Sequence, residues 1–172
     1  GIDRAVKAFS RLKKEGLLDN VRWVIIGEGR DDDKLLAMIK KEGLEDIIYP
    51  MGEKINPIPY LKKADCFLLP SRHEGKPMVI TESFIMGVVP VVTEYTSAHE
   101  QIKDGVDGLV FENNDEALYK RLKKVIEKPV ATPSADTVVM NPSAAGNTAP
   151  LLKRAFMFLE DGDWSKADEF CE

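Results

Sequence analysis

Glu74 and Glu82 stand with seven residues between them in the stretch LLPSRHEGKPMVITESFIMGVVPVV, residues 68–92. An apolar run ends at Pro70, and Glu74-Gly75 falls where the following loop must turn into a helix. A helix starting near Lys76 would carry Glu82 about two turns in, at roughly 1.5 Å per residue. The unsatisfied N–H groups and the positive dipole at such a start form a phosphate site. Gly75 lets a ligand approach the backbone closely. A carboxylate on either side of a phosphate cradle suits an elongated ligand with hydroxyls at both ends and a diphosphate between them. The plainer reading is two solvated helix carboxylates, the ordinary fate of glutamate. Spacing alone does not separate the two.

Other chemistry-bearing residues read more plainly. Asp31-Asp32-Asp33 has the look of a metal-binding run, but acidic residues at a helix start are the usual cap and dipole partners. Gly27-x-Gly29 lacks the third glycine of a dinucleotide fingerprint. His73 beside Glu74 has the side chain of an acid or base, yet a loop histidine is more often a bystander. His99-Glu100 follows the apolar run ending at Thr93; of this pair, Glu100 is the candidate.

These residues need a scaffold, and the rest of the chain supplies its pattern. Ile2, Ala5, Val6, Phe9 and Leu12 recur at helical spacing, and Gly16 closes that helix. The run 21–26 (VRWVII), broken by Gly27, reads as a strand buried on both faces. Helix and strand then alternate: helix 31–41, strand 47–49, helix 57–63, strand 65–69, helix 78–86, strand 90–93, helix 97–103, strand 108–111 and helix 115–127. No hairpin dipeptide joins neighbouring strands, so the connections must be crossovers. The expected fold is α/β, a doubly wound parallel sheet with helices on both faces. Ligands in such sheets bind at the carboxyl ends of the strands, which singles out loops 27–30, 50–56, 70–77 and 93–98.

Residues 129–150 are rich in Pro, Ser, Thr, Ala and Gly without a period and read as a linker. Residues 151–172 read as two helices joined by Asp161-Gly162-Asp163, a helical hairpin. It is either the start of a tetratricopeptide-like repeat or a terminal pair docked on the sheet.

The totals restrict the class. The 172 residues hold one good-sized domain, and the net charge of −5 argues against nucleic acid as the main partner. No apolar run approaches the roughly 20 residues that span a bilayer, and the start does not read as a signal peptide. Cys66 and Cys171 lie far apart and outside any CxxC, which favours a reducing, cytoplasmic setting. The chain begins at Gly1 as if in mid-domain, the expectation being a fragment of a longer protein.

The stretch around Glu74 resembles the Glu-x7-Glu signature of glycosyltransferase family four, retaining enzymes with the GT-B architecture of two Rossmann-like domains. The resemblance covers residues 1 to about 127, the C-terminal donor-binding half. Other matching pieces are VIIGEG (24–29), YPMGE (49–53), ADCFLLPS (64–71), MGVVPVVT (86–93) and KDGVDGLVF (103–111). It implies a Rossmann-like domain over 1–128 whose first strand is missing, leaving one sheet position empty. It also implies roles. Glu74 would contact the donor sugar as the catalytic residue, with Gly75 and Lys76 giving main-chain donors to the sugar and distal phosphate. Glu82 would hold the ribose, Thr81 would lie near the phosphates, and Gly27, Glu53 and Lys54 would line the base pocket. Glu100 joins the donor-binding set. The substrate would be a nucleotide diphosphate sugar, with no cofactor and no metal.

Retention in this family is attributed to front-face displacement, in which the leaving phosphate helps deprotonate the acceptor. The acceptor, a glycan or lipid-linked sugar, would sit on the other domain. The basic pair that clamps the diphosphate precedes the region matched here, so the chain alone is expected to be inactive. The setting would be bacterial polysaccharide or glycolipid assembly, in the cytoplasm or at the inner face of the membrane. Two rivals remain: a non-catalytic nucleotide-sugar-binding or scaffolding module joined to a helical repeat, and a nucleotide-sugar epimerase of related fold.

Overall fold

A computed structural model of the protein describes residues 1–128 and 154–158. The elements are α1 (Ile2–Lys14), β1 (Arg22–Ile26), α2 (Asp32–Lys41), β2 (Ile48–Pro50), α3 (Ile58–Lys63), β3 (Cys66–Leu69), α4 (Met78–Ile85), β4 (Val89–Thr93), α5 (Ala98–Gln101), β5 (Leu109–Phe111), α6 (Asp115–Glu127) and β6 (Arg154–Phe158). Through α6 they follow the expected alternation, with α5 shorter than the sequence suggested.

The strands form one sheet in the order β2-β1-β6-β3-β4-β5. Pairs β1–β2, β3–β4 and β4–β5 are parallel. Helices cover both faces, and the side chains of each strand divide between them with period two. From β1, Trp23 and Ile25 join the layer under α1, α2 and α6, while Val24 and Ile26 join the layer under α3, α4 and α5. From β3, Cys66 and Leu68 go to the first layer, and Phe67 and Leu69 to the second. The α1 layer is anchored by Phe9 stacked on Trp23, with centroids 4.9 Å apart and both side chains fully buried. Burying each such ring contributes about 2 kcal/mol, enough to fix α1 over the sheet. Among the described residues no helix is long and apolar enough to cross a membrane.

Two expectations need correction. The sheet position expected to be empty, between β1 and β3, is filled by β6, which runs antiparallel to both neighbours. Ala155 is paired in register with Ile25 on one side and Leu68 on the other. The helical hairpin read over 151–172 therefore does not hold at 154–158, where the backbone is a strand. Two facing strand edges, each with unpaired N–H and C=O groups, outweigh the weak helical spacing of a short apolar run. The linker 129–150 and the remainder of 151–172 lie outside the described residues.

Candidate functional site

Every loop singled out from the sequence lies at the carboxyl edge of the sheet. Gly27 ends β1 with φ +122°, a conformation that glycine adopts at no steric cost. Its N–H donates to Gly52 O (2.7 Å), tying the β1 loop to the β2 loop that carries exposed Glu53 and half-buried Lys54. Asp31 sits at the N-cap position of α2 but pairs with Lys34 (2.7 Å), and Asp32 accepts from Gly29 N–H (2.8 Å). The acidic run is thus engaged in opening a helix. Among the described residues no group of three or more His, Cys, Asp or Glu is placed to hold a metal ion.

The β3–α4 loop is held from behind at the carbonyls of Pro70, Ser71, Arg72, Gly75 and Pro77. Thr93, fully buried at the end of β4, donates from Oγ1 to Ser71 O (2.5 Å) and Leu69 O (3.3 Å). Arg4 of α1, only 3% exposed, donates from Nε to Pro70 O (3.1 Å) and from Nη2 to Ser71 O (3.3 Å). Asn113 Nδ2 holds Arg72 O (2.8 Å), Ser97 Oγ holds Gly75 O (2.5 Å) and Gln101 Nε2 holds Pro77 O (3.2 Å). In a trans peptide the next N–H points opposite to the C=O. Fixing the Gly75 carbonyl on Ser97 therefore turns the Lys76 N–H to the other side. The N–H groups of Glu74, Gly75 and Lys76 donate to no main-chain carbonyl among the described residues. They stand just ahead of α4, where Ile80 N–H reaches Pro77 O (3.4 Å) and the N–H groups of Met78 and Val79 precede the first intrahelical bond.

Glu74 is half-buried in this loop, and Ser71 Oγ donates to its Oε1 (2.6 Å). Buried Tyr95 lies close enough to feel its charge: burial pushes the phenol pKa up, and the Glu74 carboxylate pushes it the same way. Glu82 is half-buried on α4, with Oε2 turned out of solvent contact. Pro77, with extended ψ of 124° and no N–H to donate, delays the helix to Met78. Glu82 is consequently its fifth residue, about one turn in rather than two, roughly 6 Å along the axis. Thr81 is half-buried beside it, and Gly75 and Lys76 are exposed. A Cβ built on Gly75 meets nothing within 4 Å, so the space around it is open.

Glu100 is exposed on α5, with no hydrogen bond tying its carboxylate to the Glu74 loop among the described residues. His99 Nε2 lies 3.4 Å from Glu94 Oε1 and His73 is exposed, so neither side chain is among those that clamp the loop. A cleft of about 440 Å³ opens between the starts of α1 and α2, lined by Asp3, Arg30, Lys34, Leu35 and Met38 among others. It borders the loop through the bidentate Asp3–Arg72 pair (both 2.7 Å) but contains neither Glu74 nor Glu82. The Arg72 guanidinium bonded to Asp3 holds that carboxyl down to about 2. Sequence reasoning missed Arg4, Ser71, Thr93, Ser97 and Asn113. Ser71 sits three residues before Glu74, a visible spacing; nothing in the type or position of the others marks them.

A family model described as "Glycosyl transferases group 1" matches residues 1–139. The N-acetylgalactosamine-N,N'-diacetylbacillosaminyl-diphospho-undecaprenol 4-alpha-N-acetylgalactosaminyltransferase of Campylobacter jejuni is 34% identical over 124 residues, covering 71% of this chain and 33% of the relative. The amylovoran biosynthesis glycosyltransferase AmsK of Erwinia amylovora is 31% identical over 125 residues, covering 67% of this chain and 30% of the relative. The chain thus spans about a third of the length of these curated relatives. Among solved structures, Anabaena HepE in complex with UDP and glucose superposes with TM-score 0.64 at 21% identity, covering 74% of this chain and 35% of that one. A TarM mutant of S. aureus in complex with fondaparinux, alpha-GlcNAc-glycerol and UDP gives TM-score 0.66 at 24% identity, covering 73% and 26%. At these identities the structures speak for the fold. With the family match running through every element from α1 to α6, the chain belongs to the glycosyl transferases group 1 family.

Proposed function

We propose that this chain is the donor-binding half of a retaining, metal-independent glycosyltransferase of family four, acting on a nucleotide diphosphate hexose. The observation that carries the reading is the β3–α4 loop. Five of its carbonyls are held on the scaffold, the N–H groups of Glu74, Gly75 and Lys76 donate to no main-chain carbonyl among the described residues, and Ser71 Oγ fixes one oxygen of Glu74. Unspent N–H groups ahead of a helix bind a diphosphate. They stabilise it further as charge develops on the leaving group, with no reorganisation at the moment of reaction. Glu74, at the mouth of that cradle, meets the sugar; Glu82, a turn into α4, meets the ribose; Gly27, Glu53 and Lys54, on the two loops joined by the Gly27–Gly52 bond, meet the base. Thr81 serves the phosphate region, and Glu100 joins the donor-binding set from α5.

No protein nucleophile is required: the departing phosphate takes the acceptor proton on the same face. The acceptor, a glycan or lipid-linked sugar, binds to the other half of the full-length enzyme, so this chain alone binds donor without turning it over. The relatives named for amylovoran biosynthesis and for transfer to a diphospho-undecaprenol-linked sugar support a role in bacterial polysaccharide biosynthesis; we place that role in the cytoplasm and, for the full-length protein, at the membrane face. UDP, present in both neighbouring structures, is the first nucleotide to try.

Calorimetric titration of the folded chain with UDP, GDP, ADP and their sugars tests this reading. One of the nucleotides should bind, with an affinity reduced by Glu82→Ala. Absence of binding by every nucleotide at millimolar concentration would remove the donor site from this domain.

A further inference from the structure

Arg4 occupies a position that electrostatics disfavours three times over. It is 3% exposed, and burying a guanidinium costs several kcal/mol unless its donors are satisfied. It lies in the first turn of α1, at the positive end of the helix dipole, where a cation is unfavourable. A second guanidinium, that of Arg72, depresses its proton affinity further, and the carboxylates of Asp115 and Asp3 offset these effects only in part, the net direction being down. Its Nε and Nη2 are spent on two consecutive main-chain carbonyls, Pro70 O and Ser71 O. A Leu or Met would cover the same apolar flank of α1 without these penalties.

What Arg4 holds explains the choice. The ladder of β3 ends at Leu69, so the carbonyls of Pro70 and Ser71 leave the sheet with no strand partner. They must be paired. Arg4 takes both from the α1 face, and Thr93 takes Ser71 O from the β4 side. Gripped between them, the Ser71 peptide has one orientation, and from it Ser71 Oγ reaches Glu74 Oε1 at 2.6 Å. We infer that Arg4 is a positioning residue, which aims the Glu74 carboxylate at the donor sugar by fixing the Ser71 backbone through its two-pronged fork. The inference rests on the donor-site reading for what Glu74 meets, while the Arg4–Ser71–Glu74 linkage stands on geometry alone. A planar fork meets two adjacent oxygens at once; a lysine, a point charge, does not.

The experiment compares UDP with UDP-glucose and UDP-N-acetylglucosamine on the wild-type chain, Arg4→Met, Arg4→Lys and Ser71→Ala, alongside NMR backbone order parameters. In the wild type one of the sugars adds affinity over UDP. Arg4→Met lowers that ratio about tenfold while UDP affinity falls no more than about twofold; a role in packing alone would lower both together. Arg4→Lys recovers less than half of the lost ratio, and Ser71→Ala reproduces the loss even if Arg4→Met does not fold. The order parameters of residues 71–73 fall in Arg4→Met, from the rigid range of about 0.85 towards about 0.6, while those of α2 and α6 keep their values. A preserved sugar-to-UDP ratio in both Arg4→Met and Ser71→Ala overturns the inference. So does full rescue by Arg4→Lys, and so do unchanged order parameters at 71–73. A wild-type chain with no sugar increment counts against the donor-site reading instead, and the order parameters then decide the positioning of the loop by themselves.

Discussion

Ser71 Oγ donates to Glu74 Oε1 at 2.6 Å, across three residues of a loop with no regular structure of its own. The bond commits one oxygen of Glu74 to the scaffold and leaves the other to be presented. A carboxylate set in advance loses little rotamer freedom on meeting a ligand, which is how preorganised groups gain their effect.

Replacing Glu74 by Ala in the full-length enzyme should separate binding from chemistry. Transfer should fall at least about a hundredfold, while nucleotide affinity changes by no more than about threefold. Steady-state kinetics beside UDP titration measures both. An unchanged rate removes Glu74 from the reacting centre.

The Asp3–Arg72 pair gives a signature at low pH. The carboxyl is held down to about 2, below the ordinary value near 4. The pair therefore adds stability above about pH 4 and loses it as pH falls towards about 2. The side chains are 44% and 48% exposed, so solvent and salt screen the gain and its size is small. Carboxyl NMR titration should show Asp3 returning to the ordinary range in Arg72→Ala; an unmoved midpoint would separate the two residues in solution.

Gly108 is required by space. A Cβ there would lie 2.7 Å from Ile102 Cγ2, 2.8 Å from Pro90 Cγ and 3.0 Å from Pro90 O. Gly108→Ala should cost about 1–3 kcal/mol, read as a lowered urea midpoint with an unchanged slope. A wild-type midpoint would mean that β5 packs farther from β4 than described.

Ala155→Pro examines the central antiparallel strand. Proline at the middle of β6 removes a ladder donor between two partners. An expected loss of about 2 kcal/mol lowers the Tm by roughly 4–8 °C and speeds amide exchange in β1 and β3. If neither changes, residues 154–158 do not hold the slot.

Much of this was legible in the sequence because the relevant signals are local. Trp23 to Ile26 form a short apolar run too hydrophobic for one exposed face, and such runs belong inside a parallel sheet. Glu74 and Glu82 could be assigned to a loop and a helix because Pro70, Gly75 and Gly87 punctuate the stretch. The helix read over 78–86 starts where α4 does, whereas placing Glu82 two turns in assumed a start near Lys76, because Pro77 tolerates either side of a helix boundary. The loop clamps were invisible for a different reason. Arg4 acts on a carbonyl 66 residues away and Asn113 on one 41 residues away, and no local pattern encodes such a pairing. Residues 154–158 failed in the opposite sense. Ala155 and Phe156 fit a helical stripe or a strand equally, and the sheet position between β1 and β3 decides between them.

The central claim is that the loop around Glu74 is the nucleotide-sugar cradle, and backbone NMR during titration with UDP-glucose tests it most directly. The amides of Glu74, Gly75 and Lys76 should shift most, followed by those of Gly27, Gly52, Glu53 and Lys54, saturating together with one dissociation constant. Shifts confined to the cleft between α1 and α2, with Glu74, Gly75 and Lys76 unmoved at saturation, would contradict it.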